Sequence, residues 1–451
     1  MELIGTISAW IWGTPMMVIL VGGGLWLTIR LDFFPITYLP FIVKETFGKI
    51  FAKPQGKGTI SPFQAACSAL ASTIGGSNII GVPVAIAFGG PGAVFWMWVT
   101  AVIGFATKFS EIALGIKYRE KNEEGNFVGG PMYYLRKGLG VPFLGGIYAF
   151  FLMIELIPSI STQTVNVVQT AASIGIPQMA TGIVVTLVVG LVVVGGIKRI
   201  GRVTERLLPF MALLYFLAAL VIIFLNISKL PGVVAMIFEY AFTPTAAMGG
   251  FAGSSLAATL RWGVARGCYS NEAGMGTASI AHAAAVTDHP ARQAMWGIFE
   301  VIVDTIIVCT TTAFVVLVTD VWKTVPAAEA GSMPARAFQQ LLGDGLGGGA
   351  VTICLLLFVI STIIVVIYYG EKQAEYLFGT KFSKFMRIVY LMAILAGSVM
   401  KLEFLYQFLD IFLATIVIPN VIGLILMSGQ VKKMKNEFLE NMRLATQDDD
   451  A

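Results

Sequence analysis

The chain has 451 residues, of which 57% are hydrophobic and 12% are charged, and its formal net charge is +4 at pH 7. Ordinary soluble domains carry about 25% charged residues, so this composition excludes a water-soluble globular protein. The basic residues lie in loops beside apolar stretches and form no aromatic–basic patch, which argues against nucleic acid as a partner.

Apolar runs of about 20 residues recur along the chain, each long enough to cross the ~30 Å hydrocarbon core as a helix. The runs are continuous rather than alternating, which excludes a transmembrane barrel. The first run follows no basic segment and precedes no cleavage site, so we interpret it as a retained helix. The sequence predicts an all-α polytopic membrane protein with eleven transmembrane spans, at residues 8–30, 60–88, 91–117, 143–167, 180–196, 206–227, 252–286, 293–318, 347–370, 384–400 and 404–428.

The lysine and arginine residues of the loops predict the orientation of these spans, because cytoplasmic loops are rich in both. Basic residues follow spans 1, 3 and 5 and recur in the tail, whereas loops 89–92 and 175–179 carry no charge. This pattern predicts a cell-membrane protein with its N-terminus outside and its C-terminus in the cytoplasm. Only segment 319–346 is mixed in charge.

The orientation also predicts an internal repeat. Span 2 starts inside and span 7 starts outside, so spans 2–6 and 7–11 have opposite topology, as in transporters built from inverted repeats. The sequence therefore predicts a 5+5 inverted repeat with an extra N-terminal helix. The expected units are an N-terminal helix with a basic linker (1–59), a transport core (60–428) and a cytoplasmic tail (429–451).

Each predicted half opens with an interrupted helix. Span 2 contains Gly75, Gly76, Ser77 and Asn78, the first break, and span 7 is interrupted at residues 269–276, the second break. Adjacent glycines and short polar residues unwind a helix, and the freed N–H groups then bind an anionic group of a substrate. Close helix packing is the alternative explanation for the glycines. Polar residues in the second break favour a binding site, because they cost free energy in a membrane.

Several longer motifs resemble those of a known family. They are GGPGA at 89–93, FWMW at 95–98, GGPMYY at 129–134, SNEAG at 270–274, HPARQ at 289–293, DT at 304–305 and YYGEK at 368–372. In this order they resemble the alanine or glycine:cation symporter family over nearly the whole chain. The resemblance implies a leucine-transporter-like fold and sodium-coupled, in some members proton-coupled, uptake of small neutral amino acids.

The expected substrate site combines both breaks. The amides of Gly76 and Ser77 would bind the substrate carboxylate while Asn78 orders the loop, and Tyr269 would cover the ligand with Asn271 as a polar partner.

The resemblance adds Gln163, which matches a family glutamine near the substrate. Interhelical hydrogen bonding is the alternative role for its polar run, residues 161–166.

A sodium site is expected beside the substrate. The spacing of Phe358, Ser361 and Thr362 places one carbonyl and two hydroxyls on one side of span 9. Similar spacing forms the recurrent sodium site of leucine-transporter-like folds, whose partners would be the carbonyls of Ala71 and Ile74. Back-bonding of the hydroxyls to their own helix is the alternative. The sodium ion would be the coupling ion.

Acidic residues inside apolar spans are functional by default. Glu272 and Asp304 fall in the family motifs, so we interpret them as bracing the second break or coupling to the cation, and Glu155 is a candidate for an access path. Lys108 and Glu111 are interpreted as a local pair, with the lysine reaching towards the interface.

The chain departs from the family pattern at three positions. Many members have threonine where this chain has Gly76, and they commonly have glycine and tryptophan where it has Val365 and Val366. Gly76 and Val366 would enlarge the pocket, so we expect it to accept a larger neutral amino acid.

Other functions remain open. The only histidines, His282 and His289, form no HExxH motif, which argues against a metalloprotease-like enzyme. The alternatives are a proton-coupled symporter and a non-transporting sensor of the same fold. No required protein partner is evident in the sequence.

Overall fold

The computed structural model describes residues 10–173, 175–246, 251, 253–399 and 402–449. Within them, five helices are long and apolar enough to cross a membrane, or seven if each of two bent helix pairs counts as one span. The chain is a helical, multi-pass membrane protein. The count of eleven spans stays a prediction, and the predicted span ends at residues 8, 9, 252 and 400 lie outside the described residues.

The principal helices follow one another in chain order. They are α1 (Thr14–Arg30), α2 (Pro62–Thr73), α3 (Ser77–Gly89), α4 (Ala93–Lys117), α5 (Pro131–Lys137), α6 (Pro142–Ser173), α7 (Gln178–Val193), α8 (Gly196–Leu225), α9 (Leu230–Tyr240), α10 (Leu256–Asn271), α11 (Ala278–His282), α12 (Pro290–Val318), α13 (Met333–Phe378), α14 (Thr380–Gly397), α15 (Leu402–Leu426) and α16 (Ser428–Asp449). Shorter helices and 3₁₀ turns span Phe34–Thr37, Leu39–Glu45, Phe47–Lys49, Ile227–Lys229, Val321–Thr324 and Ala327–Ser332.

Some predicted loops contain regular structure. An antiparallel hairpin of β1 (Glu120–Lys121) and β2 (Phe127–Val128) lies between α4 and α5. Helix α9 has 11 residues and rises about 16 Å, too little to cross a bilayer, so it gives no span signal. Helix α13 begins well before predicted span 9, because the charged residues in its first turns give no span signal. It kinks at Gly343, where φ is +77°.

The first break separates α2 from α3. Helix α2 begins with a capping box, in which the Ser61 hydroxyl accepts from the Gln64 N–H and the Gln64 side chain accepts from the Ser61 N–H, each at 3.1 Å. It ends at Thr73 because Ile74 is extended (ψ 92°), and α3 continues from Ser77 at an angle of 48°. The interruption predicted within span 2 is therefore present at residues 74–76.

The second break lies between α10 and α11. The backbone is left-handed at Glu272, Gly274 and Gly276, with φ of 54°, 102° and 81°. Glycine adopts these angles without steric cost, whereas Glu272 does not, so surrounding contacts must hold this residue. Residues 272–277 leave the helix, and the amide groups of Ala273, Gly274 and Gly276 donate to side-chain oxygens of Asn271 and Glu111.

The helices that carry the breaks pack closely on α4. Helix α10 crosses α4 at Gly263, where an added Cβ would lie 2.4 Å from the Ala93 carbonyl oxygen. Helix α12 covers another side of α4, α6 packs on α13 and α15, and α2 packs on α8 and α13. Small residues at such crossings allow backbones to approach within a membrane.

The basic end of the chain forms α16, which is anchored by ion pairs. Lys432 and Lys435 donate to the Asp32 carboxylate at 2.7 and 2.8 Å. These hydrogen bonds lower the pKa of Asp32 to about 2. The segment predicted as a cytoplasmic tail is thus a helix docked beside α1, α4 and α12.

The close crossing at Gly263 gives a stability prediction. We expect Gly263→Ala to destabilise the protein by about 1–3 kcal/mol, because the added methyl group overlaps backbone atoms of α4. Gly146→Ala in α6 is the matched control, since nothing lies within 4 Å of its added Cβ. Thermal unfolding in detergent measures both variants, and equal midpoints would contradict the prediction.

Candidate functional site

Asn78 connects the first break to the second. Its side-chain oxygen accepts from the Gly75 N–H at 3.0 Å and from the Ser77 hydroxyl at 3.2 Å. Its amide nitrogen donates to Asp304 Oδ1 at 2.7 Å and to Ser270 Oγ at 3.1 Å. The buried side-chain amide therefore pairs with one backbone N–H of the first break and also binds α10 and α12.

Asp304 is the acceptor at the centre of this cluster. Its carboxylate accepts from Asn78 and also, through Oδ2, from the hydroxyls of Ser270 and Thr305 at 2.8 Å each. The residue is 1% exposed and lies in a π-helical turn of α12, Ile302–Cys309. π-Helical turns occur frequently at functional sites. Asp304 thus bridges the two breaks.

Asn271 braces its own break. Its side-chain oxygen accepts from the Ala273 N–H at 3.0 Å, and its amide nitrogen donates to Thr305 Oγ1 at 3.4 Å. Neither Asn271 nor Asn78 is among the residues that line the cavity described below. Both asparagines lie behind the cavity wall.

Glu111 supports the second break, a role that the sequence did not reveal. Its Oε1 accepts from the N–H groups of Gly274 and Gly276 at 2.9 and 3.0 Å and from the Asn420 amide at 2.9 Å. The indication of this role in the sequence was an acidic residue inside an apolar helix. Its partners lie more than 160 residues away, so local spacing gave no indication of them.

The interpretation of Lys108 as a lysine that reaches the membrane interface is wrong. Its side chain is fully buried, and its ammonium lies 3.9 Å from Glu300 Oε2. Helix α4 is enclosed by other helices over most of its length, which leaves Lys108 no route to the headgroups. Glu300 also hydrogen-bonds His282, so this cation belongs to a buried polar cluster behind the second break.

A cavity opens between the two breaks and α6. It contains about 560 Å³ of empty space, a volume that includes open solvent. Its wall combines hydroxyl, acidic and apolar side chains, contributed by Ser72, Thr73, Ser77, Leu152, Glu155, Leu156, Ser159, Gln163, Tyr269, Glu272, Met275, Thr277, Thr362, Val366, Tyr369, Leu413 and Ile416.

The first break approaches the polar face of α6. A Cβ added at Gly76 would lie 3.2 Å from Gln163 Oε1, so the backbone of the break runs next to this amide. Gln163 Oε1 is buried and has no hydrogen-bond partner among the described residues. Such an orphaned acceptor is costly unless a ligand or water binds it.

Three oxygen atoms converge where α2 meets α13. Thr362 Oγ1 lies 3.0 Å from the carbonyl oxygens of both Ala71 and Phe358. Ser361 Oγ donates to the same Phe358 carbonyl at 2.8 Å, and Ile74 is buried at the end of α2. Neutral carbonyl and hydroxyl oxygens suit a hard monovalent cation. Across the described residues, no group of three histidine, cysteine or acidic side chains could hold a transition metal.

Comparison with known proteins identifies the family. The model of the sodium:alanine symporter family matches residues 1–450. This chain belongs to the sodium:alanine symporter family. The resemblance inferred from the motifs is confirmed, and the chain is a membrane transporter rather than an enzyme.

Relatives cover almost the entire chain. The transporter YflA of Bacillus subtilis is 50% identical, with 96% of this chain and 92% of the relative aligned. The sodium/alanine symporter AgcS of Methanococcus maripaludis is 42% identical over 97% of each chain. The probable sodium/glutamine symporter GlnT of Bacillus subtilis is 36% identical, with 95% and 89% aligned.

A solved structure shares the fold. The manganese transporter of Eremococcus coleocola superposes with a TM-score of 0.51, covering 81% of this chain and 76% of that chain, at 11% identity. At this identity the likeness concerns the fold alone, and it is that of a membrane transporter.

The bridge at Asp304 gives a prediction for this family member. Asp304→Asn presents one acceptor oxygen to three donors, so we expect a loss of about 1–3 kcal/mol for each buried donor left unpaired. The control is Asp320→Asn, whose carboxylate is 40% exposed and pairs with Lys229 and Lys323, and which should cost about 1 kcal/mol or less. Thermal unfolding should rank the two variants in this order, and the reverse order would contradict the bridge.

Proposed function

We propose that this chain is a sodium-coupled symporter that carries a neutral amino acid into the cell by alternating access. The observation that carries the proposal is the joint position of the two breaks and Thr362 around one cavity. Relatives named as sodium/alanine and sodium/glutamine symporters support the choice of substrate and ion. The transport core would be the predicted inverted repeat of spans 2–6 and 7–11, with the N-terminus outside and the C-terminus in the cytoplasm.

The substrate carboxylate binds at the first break in this proposal. The N–H groups of Gly76 and Ser77 lie at the start of α3, whose positive end favours an anion. The orphaned Gln163 Oε1 accepts from the substrate ammonium, and Tyr269 covers the ligand from α10. The zwitterion thus receives donors at one end and an acceptor at the other.

Sodium binds beside it, at the carbonyls of Ala71 and Phe358 and the hydroxyl of Thr362. Ile74 and Ser361 complete the expected ligand set. This ion would tie α2 to α13, two helices that belong to opposite predicted repeats. Binding of sodium therefore holds the two predicted repeats together at this contact and prepares the first break for the substrate.

The proposed sodium site predicts a weaker apparent affinity for sodium in a near-isosteric variant. Thr362→Val removes the hydroxyl, so we expect at least a tenfold weaker apparent affinity for sodium in proteoliposome uptake. Thr186→Val is the control, because this α7 hydroxyl only bonds the Gly182 carbonyl of its own helix.

The same assay separates the alternatives. Uptake by the unmodified protein that persists when choline replaces sodium at fixed pH would contradict sodium coupling and favour a proton. A sensor would show substrate binding without counterflow.

The cavity wall predicts the preferred substrate size. Val366 lies at the wall, and Val366→Trp would fill part of the 560 Å³ cavity. We expect larger neutral amino acids to compete for uptake by this variant at least tenfold less effectively, while alanine and glycine still compete. Ile353→Trp, on the exposed side of α13, is the control. Alanine and glycine outcompeting every larger amino acid in the unmodified protein would contradict the larger pocket.

A further inference from the structure

Two carboxylates line the substrate cavity, and Lys108, which is not part of its wall, acts electrostatically on one of them, Glu272. Glu155 projects from α6 and Glu272 from the second break, and both belong to the cavity wall. None of the residues described as lining the cavity is a lysine, arginine or histidine. An acidic group within a membrane is stable only when it has a partner. We therefore expect this part of the cavity to bind positive charge.

Glu155 is the carboxylate without a partner. The residue is 3% exposed, yet its carboxylate forms no hydrogen bond with any part of the chain that the structure describes. Glu272 differs, because it accepts from the Thr277 hydroxyl at 2.5 Å. A carboxylate that faces a cavity without donors from the protein pairs with water, a proton or a cation.

None of the described titratable groups around Glu155 donates a hydrogen bond to it. The titratable side chains that face it are Glu272, Tyr148 of its own helix, Tyr369 of α13 and Tyr390 of α14. The hydroxyls of Tyr148 and Tyr390 donate to the backbone carbonyls of Met275 and Met153 at 2.7 and 2.9 Å.

Tyr369 lies 3.3 Å from the Ser72 hydroxyl. Among the side chains that the structure describes, α15 contributes Leu413 and Ile416 to the wall. No described side chain around Glu155 donates to it, which leaves water, a proton or a dissolved cation as its partner.

The position of Glu155 connects it to the substrate site. Glu155, Ser159 and Gln163 are spaced by four residues, so they follow one face of α6 over about 12 Å, and all three line the cavity. The neutral-oxygen site, in contrast, is built from α2 and α13. The two sites thus use different elements but open into one cavity.

We propose that Glu155 and Glu272 form a second monovalent-cation site, so that two positive charges accompany each amino acid. The hydroxyl oxygens of Ser159 and Thr277 lie on the same wall as further ligands. The inference rests on the proposed symport, in which the first cation binds neutral oxygens and the zwitterion adds no net charge. The second cation is either Na⁺ or H⁺, since both pair with a carboxylate.

Reversal potentials in proteoliposomes test the charge count, with radiolabelled alanine and glutamine as probes. We expect two charges per amino acid for the unmodified protein and one for Glu155→Gln. A reversal potential that follows the pH gradient identifies the second cation as H⁺, and one that follows only the sodium gradient identifies it as Na⁺. One charge for the unmodified protein, or two for Glu155→Gln, would overturn the inference.

If Glu155→Gln does not exchange amino acid, the conservative variant Glu155→Asp provides a second test. Glu155→Asp retains the carboxylate but shortens its reach. The number of charges per amino acid should therefore stay at two, while the apparent affinity for the second cation falls at least tenfold. An unchanged affinity would overturn the site. Failure of the proposed function looks different: no cation gradient would then drive uptake by the unmodified protein.

Discussion

The hydrogen bonds that join Asn78, Asp304 and Ser270 are the constraint on which the rest of the site depends. Two helices are interrupted inside a membrane protein, and the backbone groups that they release have no lipid partner. Asn78 pairs with the Gly75 amide of the first break, Glu111 pairs with two amides of the second, and Asp304 connects the breaks. Each buried donor left unpaired would cost about 1–3 kcal/mol, so this cluster stabilises both interruptions.

Two clusters of oxygen atoms at the cavity differ in charge. Neutral oxygens of Ala71, Phe358 and Thr362 form one cluster, which suits a cation that must bind and leave. The carboxylates of Glu155, on α6, and Glu272, in the second break, form the other. Thr362 and both carboxylates line one cavity, where we propose that the amino acid binds, and this arrangement allows an ion to be coupled to the substrate.

The sequence indicated the membrane class and both breaks, because long apolar runs and glycines beside short polar residues are local signals. It did not reveal α9, which is too short to give a span signal, or the start of α13, where charged residues interrupt the apolar pattern. Within the site, local spacing could suggest Thr362 but not the partners of Glu111 or the burial of Lys108. Those depend on contacts between residues far apart in the chain, which only the packed structure defines.

Hydrogen exchange of the two breaks, followed by mass spectrometry, tests most directly whether they form one site. Sodium together with alanine or glutamine should slow exchange in segments 74–78 and 272–277 of the unmodified protein at the same time. Choline with the same amino acid should leave both segments unchanged. Protection of one segment without the other, or equal protection without sodium, would contradict a single sodium-coupled site held between the two breaks.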